Sequence, residues 1–244
     1  MLGDRGRGLG VAHREPRPLR PGSATVGSVA DEPNRQELLS ALTTEHFTLQ
    51  GARSQTVSES ASRAALYVMS VSSTLIALGF LAQISEVGDA FEVFALTVLP
   101  TLYILGLFTF VRLVESAAED FLYGRAINRI RHYYLELAGE ERRLFLLSGY
   151  DDARGVLANM GLRPSRWQIF FTTASMVTVI NSVVGGSAVA IAVGAITGAP
   201  LGVSAAIGGV VAIASVVALR RHEQRMLTAC YRQLEVLFPS PHAP

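Results

Sequence analysis

"VINSVVGGSAVAIAVGAITGAPLG", residues 179–202, carries no charge and sets a small residue at nearly every fourth position. It lies inside a longer uncharged run, residues 167–219, and two shorter runs, 64–85 and 93–111, are also free of charge. Half of the chain is hydrophobic and only 17% is charged, against about 25% in soluble domains, and these runs hold the apolar excess. Each short run matches one membrane span, because about 20 apolar residues rising 1.5 Å apiece cross a hydrocarbon core of about 30 Å. The long run would measure about 80 Å as one helix, too much for a single crossing. It must turn, and Thr197-Gly198-Ala199-Pro200 is the predicted corner, since proline lacks an amide proton and glycine adopts turn conformations freely. The expectation is therefore an all-α, four-transmembrane-helix integral membrane protein, with helices over about 167–197 and 200–219 closing the second hairpin.

The arginines predict an orientation. Before the first span lie Arg5, Arg7, Arg14, Arg17, Arg20, Arg35, Arg53 and Arg63, whereas residues 86–92 carry only acids. The next connection holds Arg112, Arg125, Arg129, Arg131, Arg142, Arg143, Arg154, Arg163 and Arg166, the corner at Gly198 holds none, and Arg220, Arg221, Arg225 and Arg232 follow the fourth span. Basic loops stay on the cytoplasmic side, so both termini are expected in the cytoplasm of a bacterial inner membrane. Trp167, Phe170 and Phe171, with Tyr67 in the first span, then fall where amphipathic rings favour the interface.

The chain divides on this reading into a disordered Arg/Pro/Gly-rich N-terminus (1–31), a juxtamembrane helix (32–63), a first transmembrane hairpin (64–112), a cytoplasmic helical connection (113–166), a Gly/Ala-rich second hairpin (167–219) and a C-terminal helix and tail (220–244). Residues 1–31 contain no apolar run able to offset the entropy of ordering, nor the apolar segment of a cleavable leader. A start at Val26 or Val29 is an alternative that N-terminal mass spectrometry would decide. Gly51, with Thr56 and Val57, predicts a kink or break in the helix entering the first span. Beyond Arg112, Leu122, Ala126, Ile130, Tyr133 and Leu137 form an apolar stripe that ends at Gly139. Two short helices are expected next, one over 140–147 and one opened by Asp151-Asp152 and closed by Gly161. In the tail Leu227, Tyr231, Leu234 and Phe238 share a helical face. These pieces would build a cytoplasmic collar of amphipathic helices.

Every fourth residue from Ser182 gives Gly186, Ala190, Gly194, Gly198 and Gly202, a helix-packing or possible pore face. Lipid offers little hydrophobic gain for joining helices, so association rests on the close contact that small side chains permit. The fourth span answers with Ala205 and Gly209, Gly208 and Ala212, and Ala214 and Ala218. The backbone of the third span is expected to approach its hairpin neighbour or the same helix in another copy. Asn181 is the most polar side chain inside a span, suited to an interhelical hydrogen bond or to lining a polar conduit.

The chain's reactive inventory excludes more than it suggests. All 21 basic residues are arginine, so a Walker A loop, a Schiff-base lysine and a Ser-Lys dyad are ruled out. A single cysteine, Cys230, rules out an intrachain disulfide framework. The spans contain no Asp, Glu, Arg or His, the groups that mark coupled transport. A Ser nucleophile at Gly185-Gly186-Ser187-Ala188 would lack a base. His13, His46, His132, His222 and His242 have no metal-ligand spacing. Asp151-Asp152 reads as a helix cap, and Glu45-His46, His222-Glu223 and Glu140-Glu141-Arg142-Arg143 as solvated or interfacial side chains. A net charge of +1, with arginines flanking spans, points to topology and anionic lipid rather than nucleic acid. No catalytic residue, cofactor or metal is expected.

The stretch "TEHFTLQGARSQTVSESASRAALYVMSVSSTLIALGF", residues 44–80, resembles uncharacterised multipass membrane proteins of high-GC bacteria, and the distribution of spans is similar beyond it. That resemblance implies a membrane protein and transfers no functional residue. The expected partners are the lipid bilayer, an unknown cytoplasmic protein and a second copy in a homo-oligomer. The leading expectation is a non-enzymatic interaction or signalling protein. The alternatives are an oligomeric channel or membrane-permeabilising effector lined by the third span, and a membrane lipid enzyme using residues such as His132 or Asp151.

Overall fold

The computed structural model describes residues 31–84, 88–161, 172–233 and 235–241. Expectations for residues 1–30, for Arg163, Arg166, Trp167, Phe170 and Phe171, for Leu234, and for His13 and His242 lie outside them. The chain divides into two compact units, Met1–Ala41 and Leu42–Pro244. Of the first, residues 31–41 are described and are helical. All contacts below belong to the second.

Five α-helices follow one another: α1 (Asp31–Ile84), α2 (Asp89–Ala138), α3 (Ala153–Asn159), α4 (Thr173–Thr197) and α5 (Leu201–Gln233), with a 3-10 turn at Gly139–Leu144 between α2 and α3. No strand occurs among the described residues. Helices α1, α2, α4 and α5 are each long and apolar enough to cross a membrane. In α1, α2 and α5 the apolar part is one portion of a longer helix whose remainder is charged.

The corner between α4 and α5 shows how local chemistry sets the topology. Gly198 caps α4 in the left-handed region, at φ 64°, with its amide donating to Gly194 O at 2.9 Å. Pro200 then precedes α5, where its missing N–H costs nothing, and its carbonyl accepts from Val203 and Ser204. At the other end, Thr172 caps α4 by accepting from the Ser175 amide at 3.2 Å. Pro100 lies inside α2 without ending it.

Helix α4 is the hub of the apolar half, packing on α5 along one side and on α2 along another. Its buried Ala174, Val177, Val184 and Ala188 join Tyr67 and Val71 of α1 and Leu99, Leu102, Phe110 and Val114 of α2 in one core. Large apolar side chains such as Phe80, Phe108, Val183 and Ile213 point outward on all four helices. This is the inverse of a soluble bundle and the surface that hydrocarbon would cover.

Several local expectations are corrected. Helix α1 runs through Gly51 without a break. The roughly 1 kcal/mol that glycine costs a helix is outweighed by fastenings just beyond it, where Arg53 pairs with Asp120 of α2 and Thr56 bonds back to Ala52 O. The stripe foreseen on α2 holds only at its centre: Ile130 is buried and Ala126 and Tyr133 are half-buried, but Leu122 and Leu137 are exposed, and Asp120, Gly124, Arg125 and Asn128 are buried beside it. The helix expected over 140–147 is only a 3-10 turn, because Gly139 enters the positive-φ region at 52° and interrupts the α-helical path. Helix α5 ends at Gln233, so Phe238 leaves the face of Leu227 and Tyr231. Pro239 favours extended backbone at Phe238.

Candidate functional site

In the apolar half, Asn181 and Ser182 of α4 turn toward neighbouring helices. Asn181 is fully buried, and its Oδ1 accepts from the Tyr67 hydroxyl of α1 at 3.0 Å. Gly106 of α2 makes room for this pair, since a Cβ there would stand 2.1 Å from Asn181 Oδ1 and 2.8 Å from the Tyr67 oxygen. Asn181 Nδ2 is buried with no hydrogen-bond partner among the described residues. One residue on, Ser182 donates to Ser215 of α5 at 3.2 Å, and Ser215 also meets the Tyr103 hydroxyl of α2 at 3.1 Å. Gly185 accommodates the Tyr103 ring, which a Cβ would strike at 2.6 Å.

The small-residue ladder has a graded fate. Gly186 meets Gly208 of α5 so closely that a Cβ on either would come within 2.4 to 2.5 Å of the other's carbonyl oxygen. Ala190 lies beside Gly208, and Gly194 faces the Ser204 hydroxyl. Gly198 is the helix cap, while Gly202 meets nothing within 4 Å. On α5 the inward face is Ser204, Gly208, Ala212 and Ser215, whereas Ala205, Gly209, Ala214 and Ala218 face outward. Of the ladder, Ser182, Gly186, Ala190 and Gly194 share α4 with Asn181, on another side of it, while Gly198 and Gly202 lie beyond the helix.

The charged half holds a second constellation that sequence reasoning missed in part. Asp152 is the N-cap of α3, accepting from the Gly155 amide at 2.8 Å. Both Asp151 and Asp152 also bind the segment after α5. Asp151 accepts from the Phe238 amide at 2.8 Å and the Leu237 amide at 3.2 Å, and its own amide donates to Phe238 O at 3.1 Å. Asp152 accepts from the Ser240 amide and hydroxyl at 3.2 and 2.6 Å. From α2, Arg129 pairs with Asp151 at 2.7 Å, and Arg125 and Arg129 both donate to Glu235 O. His132 stacks on Phe238 with ring centroids 3.8 Å apart.

Electrostatics follow from this packing. Burial acts to raise the Asp151 carboxyl, but the Phe238 amide, Arg129 and the Leu237 amide outweigh it and hold the group below its ordinary value. The Tyr150-Asp151 corner is itself set by Asn128, whose Nδ2 donates to Tyr150 O at 2.7 Å, and by Gly149, which lies against the backbone of His132. Val156 of α3 fills the space above Gly124. Nearer the apolar half, Arg220 bridges Glu223 of α5 and Ser175 of α4. Burial raises Glu223 despite Arg220 beside it.

The histidines are dispersed: His46 lies against Tyr134, His132 on Phe238 and His222 near Phe110. No group of three or more His, Cys, Asp or Glu among the described residues is placed to hold a metal ion. The described residues form an all-helical structure with four helices of membrane-crossing length and character. No known protein family, curated protein or solved structure matches the chain.

Proposed function

We propose that the chain is a non-enzymatic, four-span protein of the bacterial inner membrane that receives or transmits a protein interaction through a helical cytoplasmic module. The arginine distribution supports an orientation with both termini inside. The observation that carries the reading is the continuation of α1, α2 and α5 into a charged half held together by side-chain bonds, including Arg53–Asp120 at 2.7 Å and the Asp151 network. Long helices fastened in this way couple the apolar half to a polar surface. Cross-linking in intact cells tests the proposal: a specific protein captured through the charged half is the expected result. Capture of lipid alone, or export of either terminus in reporter fusions, would overturn it.

The channel reading draws on one feature, the unpartnered Asn181 Nδ2 inside α4. Ser182, Tyr103 and Ser215 bond to one another within the chain, so a conduit would have to be built around Asn181 or between copies. Ion flux in liposomes that is abolished by Asn181→Leu would favour it over the interaction reading.

A further inference from the structure

The segment after α5 is bound by the protein as a peptide ligand would be. Among the described residues, the polar contacts made to residues 235–241, apart from the Ser240 hydroxyl, are to main-chain atoms: the Glu235 and Phe238 carbonyls and the Leu237, Phe238 and Ser240 amides. One bond is main chain to main chain, from the Asp151 amide to Phe238 O, while the Asp151 carboxylate gathers the successive Leu237 and Phe238 amides at a bend in the segment. One side chain, Phe238, is taken up by ring stacking on His132, while Val236 and Leu237 stay 42% and 49% exposed. Position 239 is asked for no amide proton and is proline. The binding surface belongs to other elements, Arg125, Arg129 and His132 on α2 and Asp151-Asp152 before α3, and these are tied in place by Asn128 and by the α3 cap.

We infer that the groove between the distal part of α2 and Tyr150-Asp151-Asp152 is a peptide-binding site, filled at rest by the chain's own residues 235–241, whose external partner is a bent segment carrying an aromatic residue followed by proline. The main-chain bonds would accept any segment able to turn two successive amides to the Asp151 carboxylate, and the His132 face selects an aromatic ring. A tethered tail competes at an effective concentration of order millimolar. An external segment therefore gains access when the tail is weakened or the partner is abundant. The inference rests on the interaction reading above and names its surface.

The test uses the full chain in lipid nanodiscs and a fluorescent synthetic peptide of residues 235–244. Wild-type chain is expected to bind it weakly, and Phe238→Ala, which loosens the tail and leaves the groove intact, about tenfold or more tightly. A peptide with alanine in place of its phenylalanine is expected not to bind. On the native chain, millimolar peptide should accelerate hydrogen exchange at the Leu237 and Phe238 amides. Absence of that acceleration, or equal binding of the alanine peptide, overturns the inference without reference to how any variant folds. Dimers formed by exchange of tails would give the groove to a second copy and overturn the external partner. Cellular cross-links that persist while peptide exchange fails would retire the groove and leave the interaction reading standing.

Discussion

The Tyr67 hydroxyl of α1 and the Asn181 amide of α4 meet at 3.0 Å across the one place where Gly106 of α2 offers no side chain. Three helices are registered by this contact, since both polar groups are fully buried and neither has water to fall back on. A methyl group at position 106 would displace the Asn181 side chain and leave two polar groups unpaired. We expect Gly106→Ala to destabilise the protein by about 1 to 3 kcal/mol in reversible unfolding from mixed micelles. Removing the obstructed side chain should absorb most of that cost, so Gly106→Ala with Asn181→Ala should be hardly worse than Asn181→Ala alone. Strict additivity would show that the glycine serves another contact.

The glycines of the second hairpin should separate into two groups. At Gly186 and Gly208 a Cβ would press on backbone carbonyls of the facing helix, which cannot rotate away, so α4 and α5 must part. We expect Gly186→Ala and Gly208→Ala each to cost about 1 to 3 kcal/mol. Gly202 and Gly209 meet nothing within 4 Å, and alanine there should leave stability unchanged or raise it by up to about 1 kcal/mol, the helix cost of glycine. Chemical unfolding of the four variants decides the matter. Equal stability of Gly186→Ala and Gly209→Ala would contradict the close approach.

These cases show what the sequence made legible. The four long apolar helices and the Gly198-Ala199-Pro200 corner follow from hydrophobic run length and turn chemistry, which act locally. The placement of Asn181 does not, because an isolated asparagine in an apolar run says nothing of Tyr67, 114 positions away. On distal α2 the buried face includes the polar Asp120, Arg125 and Asn128 beside Ile130, so apolar periodicity alone places Ile130 correctly and Leu122 and Leu137 on the wrong side. The tail was read as helix because Phe238 keeps the spacing of Leu227 and Tyr231. The signal that could have corrected this was Phe238-Pro239-Ser240-Pro241, in which two prolines favour an extended chain.

The link between α1 and α2 should be stronger than its neighbours on the same surface. Arg53 grips Asp120 through two nitrogens, at 2.7 and 3.3 Å, with side-chain exposures of 26% and 11%. Arg63 and Glu59, one helical turn apart, are considerably more exposed. A double-mutant cycle on Arg53 and Asp120 is expected to return a coupling of about 0.5 to 3 kcal/mol, against about 0.3 to 0.5 for Arg63 and Glu59. Molar salt should erode the second coupling and spare most of the first. Equal couplings would mean that Arg53 does not anchor α1.

The docked tail should respond to acid in a direction set by Asp151. The folded-state carboxyl lies below its ordinary value of 3.8, because the Phe238 and Leu237 amides and Arg129 outweigh the effect of burial. A depressed acid contributes stability that is complete above the ordinary value and is lost as pH falls through the lower, docked value. Protection of the Leu237 and Phe238 amides against hydrogen exchange, corrected for intrinsic rates, should therefore stay flat from neutral pH down to about 5. Below 3.8 it should fall as the carboxylate is protonated and two backbone donors lose their acceptor. Asp151→Asn removes the titration, so its tail should be less protected at neutral pH and show a weaker dependence between neutrality and acid. A wild-type tail whose protection rose on acidification would reverse the sign and remove Asp151 from the account of how the tail is held.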